Sequence, residues 1–97
     1  MFNFDLTDEL KFIIQRLSKK DKKRIEILNK KTKQIINSDS FSIQHYKNLR
    51  HDLKDFKRVH IDTSFVLVFK VDIQNNHILF VDFSHHDEIY KGFVRSS

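Results

Sequence analysis

The apolar positions Leu6, Leu10, Ile13, Ile14 and Leu17 recur at helical spacing. Thr7 stands where an N-cap is needed, and Asp8 and Glu9 follow in the first turn, where the helix dipole favours acids. Ser18 restarts the pattern with Asp21 three residues on, close to a capping box. Ile25, Leu28, Thr32 and Ile35 then line one side of a longer helix, while Lys19, Lys20, Lys22, Lys23, Lys30, Lys31 and Lys33 populate its wet side. "NSDS" at 37–40 stops it. Two helices joined this tightly predict an αα-hairpin. Ahead of them "FNFDL" reads as a short strand, with Phe2 and Phe4 on one side and Asn3 and Asp5 on the other.

In the second half the period changes to two. "FKRVHI" at 56–61 puts Val59 and Ile61 on one face and Phe56, Arg58 and His60 on the other. "SFVLVFKVD" at 64–72 sends Phe65, Leu67, Phe69 and Val71 one way, and Val66, Val68 and Lys70 the other. "QNN" is a turn, and "HILFVDF" at 77–83 sets Leu79, Val81 and Phe83 against Ile78, Phe80 and Asp82. The expectation is an antiparallel meander with Phe65, Leu67, Phe69, Leu79, Val81 and Phe83 packed on Ile25, Leu28 and Ile35. The opposite face, with Arg58, His60, Lys70 and Asp82, is expected to be mixed. Ser84 would then cap a short helix ended by Gly92. The predicted class is α+β: strand, helical hairpin, meander and short C-terminal helix, with one sheet covered on one side.

With 97 residues the chain has room for one domain, 1–97, with a modest core. It has no cysteine, so neither a disulfide framework nor a cysteine-based zinc site is available. No apolar stretch approaches the roughly 20 residues of a membrane span, and "MFNFDLTDEL" does not read as a signal peptide. A cytoplasmic protein is expected. The formal charge is +5. Residues 1–37 carry ten Lys and Arg against five acids, and residues 44–60 five against two, with His45, His51 and His60 added. This basic balance fits a polyanionic partner, and it fits a merely solvated lysine-rich surface as well.

Arg58 and His60 are two apart on a strand, so they share a face. The exit of the third strand brings His85, His86 and Tyr90 to an edge of the same sheet. Histidine suits proton transfer near neutrality, and Arg and Lys bind phosphate. Plain alternatives exist: a surface strand histidine at His60, a polar helix start at His85 and His86, a turn residue at His77, a snorkelling Lys70. A metal site drawn from His60, His85, His86 and Asp87 matches no recognised ligand spacing. A Ser-His-Asp triad has no local support.

"YKNLRHDLKDFKRVHIDTSFVLVFKVD" followed by "ILFVDFSHHDEIY" resembles the RelE/ParE superfamily of toxins from type II toxin–antitoxin modules, nearest to its YafQ-like and archaeal RelE-like branches. Those proteins read Leu-Lys-Gly-x-Leu-Lys-Gly-Phe/Tyr-Arg-Val-His, an apolar strand, then His-x-x-x-(Ile/Leu/Val)-Tyr/Phe. The resemblance covers about 46–92. It implies the strand–hairpin–meander fold and a ribosome-dependent mRNA endonuclease. In such enzymes the RNA's 2′-hydroxyl attacks the adjacent phosphate without a metal or cofactor. It further implies catalytic roles for His60, His86, Tyr90, Lys47 and Arg58, and RNA binding by His45, Arg50, Lys54, Lys57 and Lys70. The implied partners are a cognate antitoxin, docking on the basic stretch from Lys47 to Arg58, and the ribosome with its mRNA. Lys47 stands where relatives have another histidine, so the resemblance implies either an electrostatic role for Lys47 or proton transfer by His45, two positions earlier. His51 and Asp55 replace the two glycines, and Ser64-Phe65 replaces Asp-Trp. A ParE-like gyrase poison and a non-catalytic binding module on the same fold are the alternatives.

Overall fold

The computed structural model describes residues 1–49 and 53–88. Strand β1, Asn3–Leu6, leads into helix α1, Asp8–Lys20, then α2, Lys22–Ile36, and a single turn of helix α3, Ser40–Ile43. Strands β2, Lys57–His60, β3, Phe65–Asp72, and β4, His77–His85, follow. The sheet order is β1-β4-β3-β2, with β1 parallel to β4 and the other two pairs antiparallel. The meander is therefore as expected, and the helices form the crossover that returns the chain to the sheet.

The helix boundaries follow from capping chemistry. The Thr7 hydroxyl accepts from the Leu10 amide and donates to the Val81 carbonyl, so one residue starts α1 and ties it to β4. The capping break between the helices is one turn later than the sequence pattern implied. Ser18 stays inside α1, donating to the Gln15 carbonyl, and Asp21 caps α2 by accepting from the Arg24 amide. Asp39, in "NSDS", caps the unforeseen turn α3. At the β3–β4 turn Asn76 takes a positive φ of 52°, which asparagine tolerates.

The main core lies between the sheet and the helices. Leu10, Leu28, Ile35, Leu67, Phe69, Ile78, Phe80 and Phe83 are buried there, with Ile25, Val59 and Phe65 packed on them. The expected face of β3 is correct. The face of β4 is reversed at Leu79 and Val81. Val68 pairs with Asp82 but Phe69 pairs with Phe80, so Val81 is an extra residue in a β-bulge. The bulge inverts the alternation: Ile78 and Phe80 face the helices before it, and Phe83 does so after it. Val81 packs on the other side.

That other side is not a simple wet face. Leu49, Val66 and Val68 are buried there, with Leu53, Phe56 and Val81 against them, forming a second small core. The chain reaches it by wrapping around the edge of β2. Arg58 N–H donates to the Lys47 carbonyl, Asn48 bridges to Lys57, and Leu49 N–H donates to the Phe56 carbonyl. The edge strand is thereby covered. The predicted C-terminal helix start is also corrected. Ser84 lies within β4, which runs on to His85, and a turn follows at 86–88. Gly92 lies outside the described residues.

Candidate active site

Register places the candidate residues in two rows across the sheet. Arg58 pairs with Val68, which pairs with Asp82; His60 pairs with Val66, which pairs with Ser84. All six project from the face turned away from the helices. Two strand spacings amount to about 10 Å, so His60 and Ser84 flank Val66 at roughly that separation. His86 lies two residues beyond Ser84, towards the same end of the sheet.

His60 is exposed at the end of β2, and Arg58 is half-buried. Among the described residues neither side chain has a hydrogen-bond or ion-pair partner. Lys70 is exposed on the same face of β3, its ammonium 5.7 Å from the centre of the Phe56 ring. Lys47 and Lys54 are exposed as well, Lys47 in the strip along β2. His45 is exposed but locally held: Nδ1 is 3.0 Å from the Phe41 carbonyl, and the ring meets the Phe41 ring edge-on. His86 is exposed, with its amide and Nδ1 both on the Ser64 carbonyl and Nε2 3.0 Å from Asp87. Arg50, His51 and Tyr90 lie outside the described residues.

Lys57 does not stand with the other cations. Its row, Lys57–Phe69–Phe80, belongs to the helix-facing side of the sheet. There its ammonium donates to the Gln44 and Tyr46 carbonyls and to Asn48 Oδ1, at 3.3, 3.1 and 2.9 Å. Burial pushes its pKa below the usual lysine value. It clamps the segment that carries His45 and Lys47 onto β2, so its charge is spent on that segment rather than on the face that carries Arg58 and His60. Alternation along β2 already separates Lys57 from Arg58, and this was the available signal.

Asp82 stands next to the bulge residue Val81 on β4. Burial raises its pKa, opposed by hydrogen bonds from the Ser84 hydroxyl and the Phe83 amide, and Glu9 adds a smaller upward push. Asp82 places a carboxyl group in Arg58's row, two strands away, at the margin of the candidate site. Phe65 points inward, packing on Phe83, so it offers no outward stacking platform.

Chemically, among the described residues this face offers the His60 imidazole and the Arg58 and Lys70 cations, while the His86 ring stacks on His85, whose row with Phe65 belongs to the helix-facing side. Two hollows on the described surface lie on the helix side instead. One is an open polar depression of about 610 Å³ near His45 and Tyr46; the other is a groove of about 320 Å³ between α1 and the Phe65–Phe83 pair. An enclosed pocket is the usual home of a small-molecule site. A cationic face suits an extended polyanion. Among the described residues, the donor set able to hold a metal is His85, His86 and Asp87.

No family model matches the chain. A Methanocaldococcus jannaschii protein assigned by name to the RelE toxins, RelE4, is 53% identical over 91 residues, covering 94% of this chain and 93% of that one. YafQ of Escherichia coli shares the fold at a TM-score of 0.71 and 14% identity, covering 93% of this chain and 99% of that one. YoeB in a YoeB–YefM toxin–antitoxin heterotetramer from Staphylococcus aureus does so at 0.69 and 20%, covering 89% and 98%.

Proposed function

This chain belongs to the RelE superfamily of toxins, and we propose that it is the toxin of a type II toxin–antitoxin module that cuts mRNA on the ribosome. The observation that carries the proposal is the pair Arg58 and His60. Both project from one face of β2, and neither has a side-chain partner among the described residues. By contrast Lys57, Arg24 and His77 are engaged in internal contacts.

The reaction needs a base to take the proton of the 2′-hydroxyl, an acid for the leaving 5′-oxygen, and positive charge on the phosphate. His60 and His86 share the acid and base roles. Arg58 and Lys47 hold the scissile phosphate, and Tyr90 orients the RNA. Lys54 and Lys70, with His45 and Arg50, track the backbone, where each contact adds salt-sensitive affinity. The ribosome presents the mRNA to this face. An antitoxin with an acidic segment neutralises the toxin by covering the stretch from Lys47 to Arg58; steering by charge makes their association faster at low salt.

The test is purified protein added to translating ribosomes, with mRNA ends mapped. Cuts at a fixed position relative to the A-site codon support the proposal. Intact mRNA together with gyrase-dependent DNA damage would replace it with the ParE-type activity.

A further inference from the structure

His85, His86 and Asp87, at the end of β4, turn their polar atoms towards one another. The two imidazole rings stack, with centroids 4.6 Å apart and planes inclined by 26°. His86 Nε2 lies 3.0 Å from one Asp87 oxygen, and His85 Nδ1 lies 3.5 Å from the other. One donor atom from each of the three residues falls within 4.8 Å of the other two.

The hydrogen bonding of the rings is a second, independent observation. His86 Nδ1 is 3.1 Å from the Ser64 carbonyl, which can only accept, so Nδ1 carries the hydrogen. Nε2 is therefore the nitrogen directed at the Asp87 carboxylate, where it can donate to that carboxylate or join it in coordinating a metal ion. A backbone carbonyl gripping the far nitrogen is also what orients metal-binding histidines. His85 Nδ1 accepts from the Asp87 amide at 3.2 Å, so its lone pair lies on the Asp87 side and a metal ion would take it in place of that amide hydrogen.

We propose that His85, His86 and Asp87 form a site for a divalent transition metal of the zinc, nickel or copper class, and that filling it withdraws His86 from acid–base chemistry. Two imidazoles and one carboxylate suit these ions better than magnesium or calcium. Around a tetrahedral ion such donors stand about 3.4 Å apart. The most separated donors therefore close by up to about 1.4 Å and the rings tilt together, movements open to side chains at the surface. Three protein donors leave a position for water, so the ion is exchangeable rather than structural. The second half of the proposal rests on the catalytic reading of His86; the first does not.

The experiment titrates the full chain with Co²⁺, read by its visible absorption, and with Zn²⁺, read by calorimetry. One equivalent should bind. His85→Ala and Asp87→Asn should each weaken binding by at least about tenfold, while His77→Ala leaves it unchanged. In the ribosome assay Zn²⁺ should suppress cleavage, a zinc-selective chelator should restore it, and the His85→Ala protein should cut RNA yet resist Zn²⁺. Equal metal binding by His85→Ala and Asp87→Asn, or no binding by the unaltered chain, overturns the site. Binding with the expected ligand dependence but undiminished cleavage overturns the masking and the role of His86, and leaves the site standing. Because binding is read without activity, a chain that cuts no RNA still tests the site.

Discussion

The Arg24 guanidinium lies 4.0 Å above the centre of the Phe65 ring. The same group bonds Asp62 through Nε at 3.0 Å and Asp21 through a terminal nitrogen at 2.6 Å. One side chain thus joins the cap of α2 to the β2–β3 turn, across the start of the strand that His86 abuts. Arg24→Ala should cost about 1–2 kcal/mol, from a cation–π contact and partly exposed ion pairs. In a chain of this size that lowers Tm by roughly 5–15 °C. Lysine should rescue poorly, since it lacks the planar fork that serves both acids. Thermal unfolding of the three proteins checks this.

Asp62 supplies a pH dependence of known sign. Hydrogen bonds from the Ser64 amide first, then Arg24 and the Phe65 amide, hold its carboxyl below the usual carboxylate range. A depressed folded value means that the stabilisation is fully present above about pH 4 and is lost as pH falls through the folded value. Asp62→Asn should therefore lower stability at pH 7 and flatten the acid limb of a denaturation curve below pH 4. An acid limb identical to that of the unaltered protein would contradict the assignment.

Asp82 has the opposite sign. Its raised value means that the folded state holds the proton more tightly than the unfolded chain. Its contribution is favourable in acid and is lost as pH rises through the folded value. Asp82→Asn keeps an acceptor for the Phe83 amide and removes the buried charge. It should raise Tm at pH 7 by a few degrees, and the gain should vanish near pH 3.

Lys57 and Lys54 separate internal support from RNA contact. Lys57→Ala strands two backbone carbonyls and Asn48, and should cost about 1–2 kcal/mol of stability. Lys54→Ala should leave unfolding unchanged while weakening ribosome association, the deficit shrinking at high salt. Denaturant titration and binding at two ionic strengths distinguish the two cases.

How much of this was legible depended on whether local rules or long-range contacts decided. Thr7, the stripe from Leu28 to Ile35 and the β3 face around Leu67 obey simple periodicity, and the fold follows from them. Leu79 and Val81 do not, because a single bulge residue inverts a period-two pattern without leaving a mark in composition. Leu49 and Leu53 sit among charges in "YKNLRHDLKD", where their cover over Val66 and Val68 emerges only once the chain turns the edge of β2. At the site, the shared face of Arg58 and His60 was readable from spacing. The inward turn of Lys57 was readable in parity and was outweighed by the run of cations around it. Ser84 looked like a helix cap because Ser-x-x-Asp fits one, yet pairing with Val66 holds it in the strand.

The most direct test of the proposed mechanism is the rate of mRNA cleavage on programmed ribosomes by the unaltered protein and by His60→Ala, His86→Ala and the double mutant, all verified as folded by thermal unfolding. Each single change should slow cleavage by about 10²–10⁴-fold, with His77→Ala as an active control. On the proposed mechanism the two histidines act in one reaction, so the double mutant should fall far short of the product of the two losses. Cleavage by the double mutant at the unaltered rate would contradict the account.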